Sequence, residues 1–457
     1  MPAMLCFNYN NKTTEAGMIK IQTTKEKLIS QGGLFLAGTI AQKIGLTKIA
    51  SGVLPCAANV IASLFACLIQ GYTSFESARI GRNDNFFSDS FGLGFIYAPD
   101  TARIYLERLA DEDLHGISRQ LRRATLNLIE KAELTGISVG KETYFPVDVD
   151  TSPMDNSKTK KEGVSFTYKK YDGYHPIFAY IGKEGYMLDA ELRPGSQHCQ
   201  EGTPEFLRLL LDRLPGKLAG LPLLFRLDSG NDSLDTIKAL FGGINAKNRF
   251  MVLKRNPRKE SGEKWLEYAS AHGKETRERD GKTVWTGLAD DIHPDGFSNI
   301  HCVYEVTERT KDKYGNSLLI HDIELNLWWT NLPHKAETII ELYHDHGTSE
   351  QFHSELKHDM DVERLPSGKF NVNELYLMIA MNAFNVLRLI GQSAKAAKAG
   401  LPIKSRSFRM RLGKVIQNII GIAIKYVRHA GKKIIRIWKG CPWRQIYYEL
   451  DAAFQRL

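Results

Sequence analysis

The stretch YFPVDVDTSPMD, residues 144 to 155, constrains the fold more than any other. Strand side chains alternate faces, so Asp148 and Asp150 share one side while Val147 and Val149 take the other. Aspartate is depleted in strands because an unpaired buried charge is costly. Two on one face of an apolar strand are either a turn acid with a salt bridge or part of a carboxylate site. The next segments are regular in pattern. SFTYKKYDGYHPIFAYIGKEGYMLDAELRPGS offers further strands with glycine-containing turns, and TPEFLRLLLDRL is an amphipathic helix. LPLLFRLDSG is an apolar run ending in turn residues, and RFMVLKR is another strand. The order strand–strand–strand–helix–strand–helix–strand predicts an α/β core.

The flanks differ in texture. Residues 1–140 are expected to form a helical N-terminal domain that binds DNA. Pro99 and Asp100 are start signals for the long helix from Thr101. The core is expected over 141–255 and 333–392. It is interrupted by a polar, turn-rich module at 256–332, with strands such as HCVYEVTER and IELNLWWTNL. Helices return with HKAETIIELYHDH, SEQFHSELKHDM and VNELYLMIAMNAFNVLRLIG. A basic helical region at 393–457 closes the chain.

The formal charge of +9 favours a polyanionic partner, and its distribution says more than its sum. From Leu375 to Tyr448 there is no Asp or Glu, while Lys395, Lys404, Arg406, Arg409, Arg411 and Lys432 all fall there. On an ordinary solvated surface the signs would alternate, so DNA contact is expected. The isoleucines at 416, 419, 420, 422 and 424 suggest a core-like helix within this region. Around AQKIGLTKIA a helix-turn-helix and a plain helical core fit equally well. The six cysteines are scattered, with no CxxC pair, which points to a reducing compartment. Residues 49–71 are the one membrane candidate, but Pro55, Asn59 and Ser63 interrupt them. A buried helix is therefore expected, without membrane association, and a cytoplasmic, nucleoid-associated location.

Two further stretches carry acids. In RLDSGND an apolar strand delivers Asp228 into a Ser-Gly turn, and ligands gather at such strand ends in α/β sheets. A turn-starting aspartate would look the same. In YHDHGTSEQFHSELK, Gly347 and Thr348 break one helix, and Thr348 or Ser349 could cap the next. Glu350 then sits in its first turn, with His353, Ser354 and Lys357 on the same face. Together Asp150 (or Asp148), Asp228 and Glu350 supply the hard oxygen ligands that two Mg²⁺ ions need. Two such ions, roughly 3.5–4 Å apart, serve in-line displacement at a phosphodiester. Without cations the three carboxylates would raise one another's pKa values.

On these residues the chain resembles the DDE transposases of bacterial insertion sequences, which have an RNase H-like core. It is similar to the subgroup with a Tyr–Arg–Glu–Lys signature and a core split by a β-strand insertion. Tyr343, His346, Glu350 and Lys357 fall at that signature's spacings, with His346 where the family has arginine. Histidine lacks arginine's bidentate fork and permanent charge. The resemblance, over roughly residues 25 to 390, implies an α/β RNase H-like fold and Mg²⁺-dependent cleavage and strand transfer at terminal inverted repeats. It implies Asp150, Asp228 and Glu350 as catalytic metal ligands, with Mn²⁺ able to replace Mg²⁺. Tyr343, His346, Lys357 and Arg226 would contact phosphates, and the enzyme would act as a homodimer on paired ends, joining them to target DNA.

Three rivals stand beside this reading. His344, His346, His353 and His358 could form a transition-metal site, although His344 and His346 do not face the same way on a helix. A catalytically silent DNA-binding descendant is the second, favoured by His346. A general RNase H-like nuclease, indifferent to end sequence, is the third. Trp265, Trp285, Trp328 and Trp329 in the insertion are candidates to hold a flipped base, or are ordinary buried strand residues.

Overall fold

The computed structural model describes residues 23, 25–55, 57–82, 84–242 and 246–457. The expectations for residues 1–22, Cys6 and Cys56 lie outside the described residues.

The strand Glu142–Thr151 stands in the middle of the core. It runs antiparallel to Ile177–Ile181, which pairs antiparallel with Tyr186–Glu191. On its other side it runs parallel to Leu223–Leu227, itself parallel to Arg249–Arg255. The result is a mixed α/β core. Val147 and Val149 are fully buried, as expected for the apolar face of a central strand.

The insertion continues this sheet. Ser317–Thr330 pairs antiparallel with the core strand Arg249–Arg255, and His301–Lys311, Lys282–Ala289 and Lys274–Arg279 follow outward. The strands around HCVYEVTER and IELNLWWTNL form, and longer than the quoted stretches. A helix, Gly262–His272, is not expected from the pattern there. Ser261 caps it by accepting from the Lys264 amide, and its buried residues are only Trp265 and Ala269, too few to stand out in a polar segment. Trp265 thus lies on a helix, not a strand.

Helices cover both faces. Tyr180, on the face of Asp148 and Asp150, meets Phe352 and Phe384 from helices Thr348–Ser354 and Phe370–Ala396. Helix Ala336–His344 closes a second cluster on this face with Leu224, Val252 and Trp328. On the opposite face Val149, Phe225 and Met251 join the apolar sides of Thr203–Arg213 and Leu234–Phe241.

The long helix Pro99–Lys131 starts where the proline predicts, with Pro99 in its first turn. It packs with Ala57–Ile69 against Phe370–Ala396, so the N-terminal helices share one apolar cluster with the core. Ala57–Ile69 is buried along nearly its whole length. Phe370–Ala396 is long and apolar enough to cross a membrane, but 94% of its apolar window is buried in the protein. In AQKIGLTKIA the residues Ile44, Leu46, Ile49 and Ala50 are buried in the same cluster.

The basic C-terminal region is not wholly helical. The isoleucines after Leu412–Val415 complete only a π turn, Ile416–Ile420. Ile424–His429 and Lys432–Ile437 then form a hairpin that pairs with Leu28–Ile29. Ala430 and Gly431 both have positive φ, 47° and 75°, as a two-residue turn matching strand twist requires. Period-2 burial of Ile424 and Tyr426 wins over the helical spacing of the isoleucines. Helix Arg444–Gln455 ends the chain.

Candidate active site

Register brings the first two acids together. Val149 pairs with Leu227 across the parallel strands, so the next residues, Asp150 and Asp228, emerge side by side at the carboxyl ends. Both are half-buried. Burial and the charge of Asp150 push the Asp228 carboxyl above the usual range. Asn231 Nδ2 donates to Asp228 Oδ1 at 2.7 Å and so holds the turn SGN in place. A Cβ on Gly230 would come within 2.4 Å of Cys199 Sγ, which explains a glycine beneath the acid.

Asp150 Oδ1 accepts from the Thr151 amide, and Oδ2 lies 3.4 Å from His353 Nε2. Burial works against its charge, but the hydrogen bond and charge of His353 outweigh it and leave the pKa lowered. His353 Nδ1 is 3.2 Å from the buried hydroxyl of Tyr180. Spacing alone sets His353 on the face of Glu350 without a role. The structure makes it the partner of Asp150.

Asp148 has a different place. It is buried, and Arg226 grips it with two donors, Nε to Oδ1 at 2.6 Å and Nη2 to Oδ2 at 2.8 Å. His346 Nδ1 adds a contact to Oδ1 at 2.9 Å. Burial alone would raise this carboxyl, yet the Arg226 charge and His346 hold it below the usual range. The expected phosphate contact of Arg226 has this to reckon with: its third donor goes to the Leu342 carbonyl at 2.8 Å, and the side chain is 2% exposed. His346 is likewise turned inward, to Asp148.

The third acid stands apart. Glu350 is exposed on Thr348–Ser354, and among the described residues no group of three or more His, Cys, Asp or Glu side chains is gathered to hold a metal. Neither Thr348 nor Ser349 caps this helix. Gly347 is the residue before it, and a tight turn at Asp345–Gly347 joins it to the preceding helix. His346 and His353 go to different aspartates, His358 lies 3.7 Å from Glu363, and His344 is exposed. The four histidines thus do not converge.

Other groups ring the acid pair. The Tyr343 ring lies tilted against His346, ring centres 5.8 Å apart, and burial together with the charges of Asp228 and Asp150 raises its phenol pKa. Lys357 Nζ donates to the Pro153 carbonyl, and burial lowers its pKa. Tyr168, which sequence reading passes over inside a run of strand-like residues, has its phenol pushed up to about 12. Partial burial and the charges of Asp150 and Asp228 are the causes. The four insertion tryptophans are all buried, and Trp329 donates to Asp232 Oδ1 at 3.0 Å.

The pair Asp150–Asp228 fits a divalent cation by its chemistry. Two neighbouring carboxylates, one with a raised pKa, are relieved when a cation sits between them.

Comparison with known proteins agrees with this reading. The family model described as "Transposase DDE domain group 1" matches residues 11–242 and 319–457, and that described as "Transposase DDE domain" matches 141–386. No curated protein matches the chain. Among solved structures it is similar to a piggyBac transposase in a synaptic complex with hairpin DNA. The identity is 12% over 86% of this chain and 80% of that one, with a TM-score of 0.45. The group 1 model leaves out much of the insertion and matches nearly all the rest, so the chain belongs to the family of DDE-domain transposases.

Proposed function

We propose that this transposase cuts DNA at the inverted repeats of its own element and joins the freed ends to target DNA. The observation that supports this most is the register that sets Asp150 beside Asp228, with the Asp228 pKa raised by burial and by its neighbour. Asp150, Asp228 and Glu350 would hold two Mg²⁺ ions, with Mn²⁺ as a substitute. Bound divalent cations supply activation of the attacking oxygen and charge stabilisation at the leaving one. Asp150 rather than Asp148 is the first ligand, because both oxygens of Asp148 are taken by Arg226 and one is shared with His346. Arg226 and His346 instead brace the strand that carries Asp150.

Water attacks the phosphodiester at the element's end and releases a 3′-OH. That hydroxyl attacks the opposite strand and closes a hairpin on the element end; a second water then opens the hairpin and frees the 3′-OH again, which attacks a phosphodiester of target DNA. Tyr343 and Lys357, which feel the charge of the acids, would orient phosphates. Glu350 is exposed on the helix that carries His353, the partner of Asp150, and would be the third carboxylate to hold the cations. The acting unit is a homodimer on paired ends, working on DNA in the cytoplasm. The helical segment before residue 141 and the basic segment after 392 are proposed as DNA-binding parts, and the strands of 256–332 as an insertion in the core.

The test is nicking of a labelled duplex bearing the element's ends, with Mg²⁺, for wild type and Asp228→Asn. Losing a ligand worth several kcal/mol slows nicking by about 10³-fold or more. A catalytically silent binder is the second reading, favoured by the separation of Glu350 from the pair. It predicts tight end binding with no nicking by wild type. A general nuclease would nick any duplex equally.

A further inference from the structure

Two contrasting sets of cations stand out in the basic C-terminal run. Arg388 is buried and donates to Glu355 at 3.0 Å, and Arg409 approaches the same carboxylate at 3.3 Å. Arg409 also reaches Gln351 Oε1 at 2.7 Å, and Arg411 reaches Asp359 at 2.8 Å and Ser354 Oγ at 3.1 Å. In the hairpin, Arg428 and Lys433 both bind Asp89, and Lys425 binds Glu26. These cations are neutralised within the fold.

The second set lies on the loop between helix Phe370–Ala396 and Leu412–Val415. Residues 402–408, PIKSRSF, are all exposed, and they include Lys404 and Arg406. Before the stretch the Lys398 and Ala399 amides donate to Glu449 at 2.7 and 3.1 Å, and its C-terminal end is fastened as well. Lys395 donates to the Ser407 carbonyl at 2.6 Å, and Arg409 and Arg411 tie the following residues to Gln351 and Ser354. Gln351 is the neighbour of Glu350 in sequence, so the loop borders the helix of the third acid. Lys183 lies over the Phe408 ring at 5.2 Å and adds a further positive charge at this edge.

We infer that the loop 402–408 is a contact surface for the phosphate backbone of duplex DNA flanking the cleavage point, with Lys404 and Arg406 as its phosphate-binding groups. The inference rests on the transposase reading and deepens it by naming a surface. An exposed loop also carries lysines for solubility alone. The difference here is one sign of charge with no acid on the loop, whose C-terminal end is held to the helix of Glu350 by hydrogen bonds of Arg409 to Gln351 and of Arg411 to Ser354. Phosphate contacts act through release of counterions, so each adds about 0.9 to the slope of log binding constant against log salt.

The experiment is equilibrium binding of the full-length chain to an end-bearing duplex and to one of unrelated sequence, across a salt series. Lys404→Ala/Arg406→Ala is compared with wild type and with the charge-keeping Lys404→Arg/Arg406→Lys. The expected result is a slope shallower by about two on both duplexes for the alanine pair, with the wild-type slope kept by the conservative pair. Unchanged slopes for the alanine pair, in a protein whose melting temperature is unchanged, overturn the surface. If the same wild type nicks ends, that failure leaves the enzymatic reading standing. A changed slope without any nicking would keep the surface and sink the enzyme.

Discussion

At Asp148 the carboxylate is closed off by a buried arginine, and two residues on, at Asp150, it is open toward a neighbouring acid. Removing one partner of a buried ion pair leaves the other charge unpaired, which costs about 3–5 kcal/mol. Arg226→Ala should therefore lower folding stability by that amount in urea denaturation, whereas a purely phosphate-binding arginine would cost almost nothing. The two acids also differ in their dependence on pH. Asp148 has a depressed folded pKa, so its stabilisation is present above the unfolded carboxylate pKa and fades as pH falls through the folded value. Asp228 has a raised folded pKa, so its ionisation opposes folding as pH rises through that value. Asp228→Asn should then raise the metal-free melting temperature near neutral pH, and Mg²⁺ should stabilise wild type more than this variant. A scan showing Asp228→Asn less stable than wild type without metal would contradict the assignment. The aspartates were legible from strand alternation and turn chemistry. The separation of their roles was not, because it depends on Arg226 and His346, which reach Asp148 from other elements.

The helix Thr348–Ser354 is set by its packing as much as by its sequence. Phe352 lies against Tyr180, and a Cβ on Gly185 would come within 2.2 Å of the Phe352 ring. Gly185 also has φ 70°, a region costly for residues with a side chain. Gly185→Ala should cost about 1–3 kcal/mol through overpacking and strain, and slow cleavage by shifting the helix that carries Glu350 and His353. Thermal melting read beside single-turnover nicking checks both parts. Elements with strong periodicity were readable. The strands around Asp150 and Asp228 follow their patterns closely, and the helix after Pro99 does so on either side of a kink at Asp113. The helix Gly262–His272 and the hairpin Ile424–Ile437 were not, since one buries only Trp265 and Ala269 and the other turns on Ala430–Gly431 amid isoleucines at helical spacing.

Across the whole molecule the sheet is continuous from Tyr186–Glu191 to Lys274–Arg279, so the strands of the insertion extend the core instead of standing beside it. The core strand Arg249–Arg255 is covered on one side by Ser317–Thr330. Replacing 256–332 by a short linker would uncover that strand's edge, and an exposed apolar edge promotes association. Such a protein should elute as oligomers or aggregates in size-exclusion chromatography where the full chain does not. Pattern alone could show that 256–332 differs in texture, but not that its last strand would add to the core sheet, because strand pairing is a long-range choice. The family relation likewise became readable only when three acidic stretches far apart in the chain were taken together.

The central claim is that Glu350 completes a metal-holding set with Asp150 and Asp228, although it stands exposed and apart from them in this structure. The most direct measurement is Mg²⁺-dependent nicking of the element's end duplex by wild type and Glu350→Gln, with binding recorded in the same samples. The account predicts nicking by wild type and equal binding without nicking by Glu350→Gln; nicking by Glu350→Gln at the wild-type rate would contradict it.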